Sequence, residues 1–258
     1  MSASLVGSEM CIRDRSCSAK MSVYSLFIMA FFSKNRGLAV FSIYILGLII
    51  AIICAFILQK TVLKGGHAPF VMELPPYRLP TAKTLGLHLW EKVKDFFSKA
   101  ATVLLGASVI IWFCQYFSFS LTHVENSSES ILGVVGSFIA PIFAPLGFGN
   151  WQSAVAILSG LIARESVVST LGILYGTGGD ALGALAEVLN GVFTPLSAYS
   201  FMVFILLFIP CVAAVNAVRR EMNSAKWTAL TFAFQACVAW IVTFIIYQGG
   251  SLILRLFA

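Results

Sequence analysis

The sequence predicts an all-α, polytopic membrane protein with broken helices and one amphipathic helix at the bilayer interface. Three observations predict it. Hydrophobic residues make up 59% of the 258-residue chain and charged residues 11%, with a mean hydropathy of +0.91, whereas a soluble domain carries about a quarter charged residues. Uncharged apolar runs reach the roughly 20 residues that a helix needs to cross a hydrocarbon core of about 30 Å. One further run is interrupted by prolines and glycines, which a continuous lipid-facing helix does not tolerate.

The elements follow in order. Residues 1–16, MSASLVGSEMCIRDRS, are polar and lack the apolar core of a signal peptide. The run LVGSEMCIRDR reads as a translated cloning adaptor, so this stretch, Cys11 included, is expected to be a non-native, irregular tail, and the reading frame a fragment without its true N-terminal part. Residues 22–33 are apolar but too short to span alone: the end of a longer helix, or a half-helix. Residues 37–59 form the clearest span, bounded by Lys34 and Arg36 before it and Lys60 and Lys64 after it.

Lys60, Lys64, Arg78, Lys83, Lys92, Lys94 and Lys99 accumulate over 60–100, which places that region on the cytoplasmic side. Within it Leu85, Leu89, Val93, Phe96, Phe97 and Ala100 recur at helical spacing, with charges on the other faces and Trp90 as a headgroup-level anchor. Residues 101–120 make a second span, and the polar loop His123 to Ser130 follows. Gly133, Gly136, Pro141, Pro145 and Gly147 break residues 131–148. A charged helix over 151–175 comes next, then spans over 198–218 and 227–248. Arg219, Arg220 and Lys226 mark the last loop as cytoplasmic. Counting 101–120, 131–148 and 151–175 as crossings before 198–218 joins the two basic loops on one side.

The chemistry centres on Arg164 and Glu165, side by side in the apolar stretch Trp151 to Tyr175 and flanked by Gly160, Ser166, Ser169, Thr170 and Gly172. Ionised groups at membrane depth are costly and mark functional sites. Neighbours on one helix point about 100° apart, so each charge needs its own partner. A carboxylate lining a cation path is the expectation. Pro210-Cys211 is the second candidate: Pro210 has no N–H for the Leu206 carbonyl and leaves that oxygen free beside a thiol, with Asn216 less than two turns on. Carbonyl, thiolate and carboxylate together suit a ferrous-type ion, although kinked helices with buried cysteine also serve packing alone.

Other residue types carry less. The six cysteines show no CxxC pair, which argues against a disulfide framework or a structural zinc site. His67, His88 and His123 lack a paired helical spacing and are not expected to hold metal. Glu73, among the prolines of PFVMELPPYRLP, belongs to an ordered gate or coupling segment or to a rigid linker. No GxxxxGK[ST] occurs, and Gly176-Thr177-Gly178-Gly179 lacks the lysine of a phosphate loop. The net charge of +6 comes without a long basic, aromatic-laced patch, so no nucleic-acid partner is expected.

At these residues the chain resembles a known family. The segments CSAKMSVY (17–24), PFVMELPPYRLP (69–80), LWEKVKDFF (89–97), PLGFGNWQSAVAILSGLIARESVVSTLGILYG (145–176) and FMVFILLFIPCVAAVNAVRRE (201–221) are similar to the C-terminal membrane part of FeoB, the prokaryotic ferrous iron transporters. That resemblance implies a second gate-type repeat, with the first repeat and a GTP-binding domain, which would use GTP and Mg²⁺, outside this chain. It implies that Cys17, Glu165 and Cys211 meet transported Fe²⁺ transiently, and that Glu73, Arg164, Ser169, Pro210 and Asn216 serve gating or coupling. Lys20-Met21-Ser22 stands where the family usually has Arg-Leu-Pro, and Arg164 where it usually has lysine, a change that keeps charge but not geometry.

The expected organisation is a tail over 1–16, an apolar segment and first full span over 17–66, a cytoplasmic Pro-rich and amphipathic segment over 67–100, and the second gate-type repeat with terminal spans over 101–258. The expected function is the permease part of an inner-membrane Fe²⁺ uptake transporter, with no catalytic role and no tightly bound cofactor. The resemblance adds the lipid bilayer, the GTP-binding domain, the first repeat, small Feo accessory proteins and further copies of the chain as partners. A gate-type carrier of another substrate, such as a nucleoside, and a non-transporting membrane scaffold or sensor stand as alternatives.

Overall fold

A computed structural model describes residues 18–32, 35–61, 81–99, 105–118, 130–162, 164, 166–175, 182–208 and 224–257, with single positions at 215, 218 and 219. The described residues are almost entirely helical: α1 (Ser18–Phe31), α2 (Arg36–Thr61), α3 (Ala82–Lys99), α4 (Leu105–Tyr116), α5 (Ile131–Phe143) with a 3₁₀ turn (Ala144–Leu146), α6 (Trp151–Ile162), α7 (Ser166–Leu174), α8 (Leu182–Val192), α9 (Pro195–Phe208) and α10 (Ala225–Phe257). Among the described residues two helices, α2 and α10, are long and apolar enough to cross a membrane, or up to four crossings if each of two bent pairs counts as one. The adaptor-like residues 1–16 and the PFVMELPPYRLP string lie outside the described residues.

At the centre stands α9. Ser197, Ala198 and every residue from Ser200 to Leu207 are buried, so the helix meets protein on all sides, as a helix that is apolar all round must. It packs against α1, α2, α10 and the 3₁₀ turn. Its start is built by reciprocal capping: Ser197 N–H donates to Thr194 Oγ1 and Thr194 N–H donates to Ser197 Oγ, with Pro195 at the first helical position. Around it gathers a cluster of phenylalanines. Phe201 meets Phe27 at 5.1 Å and Phe148 at 5.3 Å, edge to face in the second case, and Phe204 meets Phe143 at 5.3 Å. Such pairs add to the burial of their own large apolar areas.

The half-helix α1 wedges into this core through Val23, Tyr24, Leu26, Phe27 and Ile28. At 14 residues it spans about 21 Å, short of the bilayer. On α2, Ala39, Ile43, Gly47, Ile50 and Cys54 are buried at helical spacing, while Leu38, Phe41 and Phe56 on the other face are exposed, the pattern of a helix half in lipid.

Two structural findings revise the element map. The stretch 151–175 is not one straight helix: α6 ends at Ile162, Arg164 stands in a turn, and α7 starts at Ser166. A continuous helix would hold Asn150 and Tyr175 about 37 Å apart, yet the Asn150 side chain faces the buried Tyr175 hydroxyl, and Ser166 Oγ donates to the Ser159 carbonyl at 3.1 Å. The two halves therefore fold back on each other, and with α5 and α6 bent by 102° the 131–148 and 151–175 segments are not two straight crossings. The second finding is α8, to which the sequence analysis assigns no element; it meets α9 at 112° and sets Leu185, Ala186 and Leu189 into the core.

Pro145 and Gly147 break the chain as expected, whereas Pro141 lies inside α5, two residues before its end. Gly147 ends the turn at φ 88°, and a Cβ there would sit 2.1 Å from Tyr247 Cε2 of α10. Gly136 allows α5 to touch α6, since a Cβ would fall 2.6 Å from Val155 Cγ2.

Candidate functional site

The last described residue of α9 is Phe208, and Pro210, two residues further in sequence, has no N–H for the Leu206 carbonyl. The carbonyls of Leu206 and Leu207 take side-chain donors from other helices. Lys20 Nζ, from the first turn of α1, donates to the Leu206 carbonyl, and Gln235 Nε2 of α10 donates to the Leu207 carbonyl at 2.9 Å. Lys20 is 3% exposed. Taking an ammonium out of water carries a penalty of several kcal/mol, so a buried lysine is a strong feature of the site. Leu206 itself is held from the other side, where Gly47 of α2 leaves just enough room: a Cβ on Gly47 would lie 3.0 Å from Leu206 Cδ2.

The same contact joins two separated stretches of chain. Lys20 follows Cys17 by three residues, and Leu206 precedes Cys211 by five. Cys17, Pro210, Cys211 and Asn216 lie outside the described residues, as do Glu73 and Glu165.

The fold-back of α6 and α7 packs beside this region, with α7 against α1. Arg164 is half-buried in the turn, and its carbonyl receives the Val167 N–H at 3.5 Å. Small and hydroxyl residues let the halves approach: Ser159 Oγ donates to Ala156 O, and Thr170 and Gly172 are buried. Ser169 sits on the exposed side and turns its hydroxyl back to the Ser166 carbonyl at 3.0 Å. Ser153 Oγ is buried on α6 and has no hydrogen-bond partner among the described residues. Among the described residues no group of three or more His, Cys, Asp or Glu side chains is placed to hold a metal ion.

The broken segment after α5 is served in the same fashion as the end of α9. Trp240 Nε1 donates to the Ile142 carbonyl and Gln248 Nε2 to the Pro145 carbonyl, each at 3.1 Å. Irregular backbone at membrane depth is stable only with such partners. Lys20 and Gln235 were missed by the sequence reading. Their signal was present: once Pro210 strands the Leu206 carbonyl, the polar residues inside apolar helices become the candidate donors.

Residues 40–92 match the family described as Ferrous iron transport protein B C terminus, and residues 97–225 match the family described as Gate, nucleoside recognition. The chain belongs to the FeoB family. It is 47% identical over 237 residues to the Fe(2+) transporter FeoB of Staphylococcus aureus strain COL, covering 92% of this chain and 35% of that protein. It is 34% identical to the Fe(2+) transporter FeoB of Methanocaldococcus jannaschii, over 92% of this chain and 36% of that one. A Fe(2+) transport protein A/Fe(2+) transporter FeoB fusion protein of Porphyromonas gingivalis is 34% identical, with 92% and 33% covered. The chain thus spans about a third of the length of the curated relatives it matches. No solved structure matches it. Family and long apolar helices together make this a membrane domain of the Fe²⁺-transport family, multi-pass in the inner membrane.

Proposed function

We propose that this FeoB-family chain forms part of the path by which ferrous iron enters the cytoplasm. The observation that carries the reading is that two successive backbone carbonyls near the last described residue of α9, Leu206 and Leu207, take side-chain donors from two other helices. Carbonyl oxygen, thiolate and carboxylate are the ligand types that an Fe²⁺ ion in transit can exchange rapidly. In this reading Cys17 and Cys211 approach the ion from the two chain stretches that the Lys20–Leu206 bond brings near each other, and Glu165 supplies the anionic charge. Glu73, Arg164, Pro210, Ser169 and Asn216 move or stiffen the surrounding segments.

The organisation proposed is the one expected from sequence: a non-native tail over 1–16, a first apolar segment and span over 17–66, a cytoplasmic segment over 67–100, and a gate-type repeat over 101–258. In the complete transporter a GTP-binding domain using Mg²⁺ gates or drives the movement, the first repeat completes the path, and accessory Feo proteins or further copies assemble with it. Uptake of radioactive Fe²⁺ into vesicles, with wild type and Glu165→Gln compared at equal expression, tests the reading. Equal uptake by both would overturn it.

The description attached to residues 97–225 names nucleoside recognition, which favours a second reading as a nucleoside carrier. Uptake of labelled uridine that competes with Fe²⁺, or that replaces it, would establish that reading instead.

A further inference from the structure

We propose that α3 docks on anionic phospholipid headgroups: the helix lies along the bilayer surface with Leu85, Leu89, Trp90 and Val93 toward the acyl chains and its lysines on lipid phosphates. Amphipathic spacing alone places a helix at an interface; the order of its charges adds which headgroups it selects.

α3 is 18 residues long, about 27 Å. It opens with its own cap, Thr81 Oγ1 accepting the Thr84 N–H at 3.4 Å. An isolated helix of this length is marginal in water, and helices gain most of their stability by packing an apolar face. Among the described residues that face is uncovered. Leu85, Leu89, Trp90 and Val93 are all exposed, Trp90 at 68%, and a Cβ built on Gly86 would meet nothing within 4 Å.

The charges point to what covers it. In steps of about 100° per residue, Leu85, Gly86, Leu89, Trp90 and Val93 fall in one arc, and Leu87 falls outside it. Lys83 and Lys94, both exposed, stand about 90–110° from the middle of that arc, at the margin beside Trp90. By register Lys92 and Lys99 take the mirror positions on the other margin, while Glu91 and Asp95 stand about 150–170° away, at the back. His88 is on the polar side too, with Nδ1 3.8 Å from the Glu91 carboxylate. Cations on both margins and acids turned away match a plane of phosphates: lysine stems run along apolar surface to reach the headgroups, and the acids stay in water. Each lysine near an anionic surface strengthens attachment roughly five-fold, a gain that a zwitterionic surface does not give. The bilayer is also within reach. Six residues of sequence, at most about 22 Å of chain, lead from Lys99 to Leu105, where the uncharged apolar helix α4 begins.

The test places the whole chain in nanodiscs of phosphatidylcholine, or of phosphatidylcholine with one-third phosphatidylglycerol. Amide hydrogen exchange over residues 82–99 is followed by mass spectrometry, with peptides from the buried α9 reporting that the fold is intact. Exchange in α3 should be roughly five-fold or more slower in the anionic discs, and high salt should remove the difference. Lys83→Gln combined with Lys94→Gln should bring the anionic value back toward the neutral one, whereas Glu91→Gln, at the back, should not. Equal exchange of the wild type in the two lipids overturns the inference, and so does a double variant protected like the wild type, since either result means apolar burial without headgroup selection. Protection already present in neutral detergent and rising with chain concentration assigns the face to a second copy and overturns it too. Should the double variant fail to fold, the wild-type comparison of the two lipids decides by itself.

Discussion

Lys20 and Leu206, 186 positions apart in sequence, are joined by a buried hydrogen bond from the amine of one to the carbonyl of the other. The bond ties the start of α1 to the end of α9, so the first described helix and the central one cannot separate without exposing a charge and an unsatisfied carbonyl to the core.

Glu165→Gln keeps side-chain volume and removes a charge that would attract a divalent cation. In the complete gene product it should abolish Fe²⁺ uptake with unchanged amounts of protein in the membrane, as scored by uptake assay and quantitative blotting. A carboxylate that serves only as an ion-pair partner would instead show itself through loss of protein from the membrane.

Cys211 and Cys237 separate function from packing. Cys237 is an exposed, free cysteine on α10. Cys211→Ser should reduce Fe²⁺ transport by roughly ten-fold or more, since hydroxyl is a poorer ligand for borderline metals than thiolate, whereas Cys237→Ser should change it little. Fe²⁺ should slow the reaction of Cys211 with a water-borne thiol reagent. Equal transport by the two serine variants would remove the thiol from the mechanism.

Gly147→Ala should destabilise the chain by about 1–2 kcal/mol from backbone conformation alone, because φ of 88° forces an L-residue into the left-handed region. The added methyl must also displace the Tyr247 ring, so the observed loss should exceed that figure. Gly249→Ala is the control, since a Cβ there meets open space. Thermal unfolding in detergent should show a lowered midpoint for the first and an equal or raised one for the second.

Gln235→Leu removes the neutral cap from the Leu207 carbonyl. The expected loss is about 0.6–1.7 kcal/mol, the range for interhelical polar contacts inside membranes, measured by the same unfolding assay. A stability unchanged within error would mean that the Leu207 carbonyl finds another donor.

Much of the fold is legible in residue types. Arg36 to Thr61 reads as a span because no charge interrupts it between Arg36 and Lys60, and Pro145 and Gly147 announce the break that follows α5. The turn at Arg164 is hidden for the opposite reason. Ile162 through Ser166 contains neither proline nor glycine, and arginine and glutamate are good helix formers, so local preference continues the helix. What stabilises the fold-back lies elsewhere in the chain: the Ser166–Ser159 bond and the meeting of Asn150 with Tyr175. The helix Leu182–Val192 carries its signal in Leu185, Ala186, Leu189 and Phe193 at helical spacing, in a stretch too short to register as a span. In the candidate site the stranded Leu206 carbonyl was foreseeable from Pro210. Its donor was not, because pairing Lys20 with it requires knowing that α1 and α9 are neighbours.

Gln235, Trp240 and Gln248 fasten α10 to two different interruptions, the end of α9 and the turn after α5. Gln235 and Gln248 are about 20 Å apart along an ideal helix axis, so one continuous helix of 33 residues fixes the spacing between the two breaks. Sliding that rod by even half a turn would unfasten all three carbonyls at once, whereas tilting it about the middle tether moves the outer two in opposite senses. The long C-terminal helix thus behaves as a splint that resists translation and tolerates rocking, and any motion that opens one break is delivered to the other.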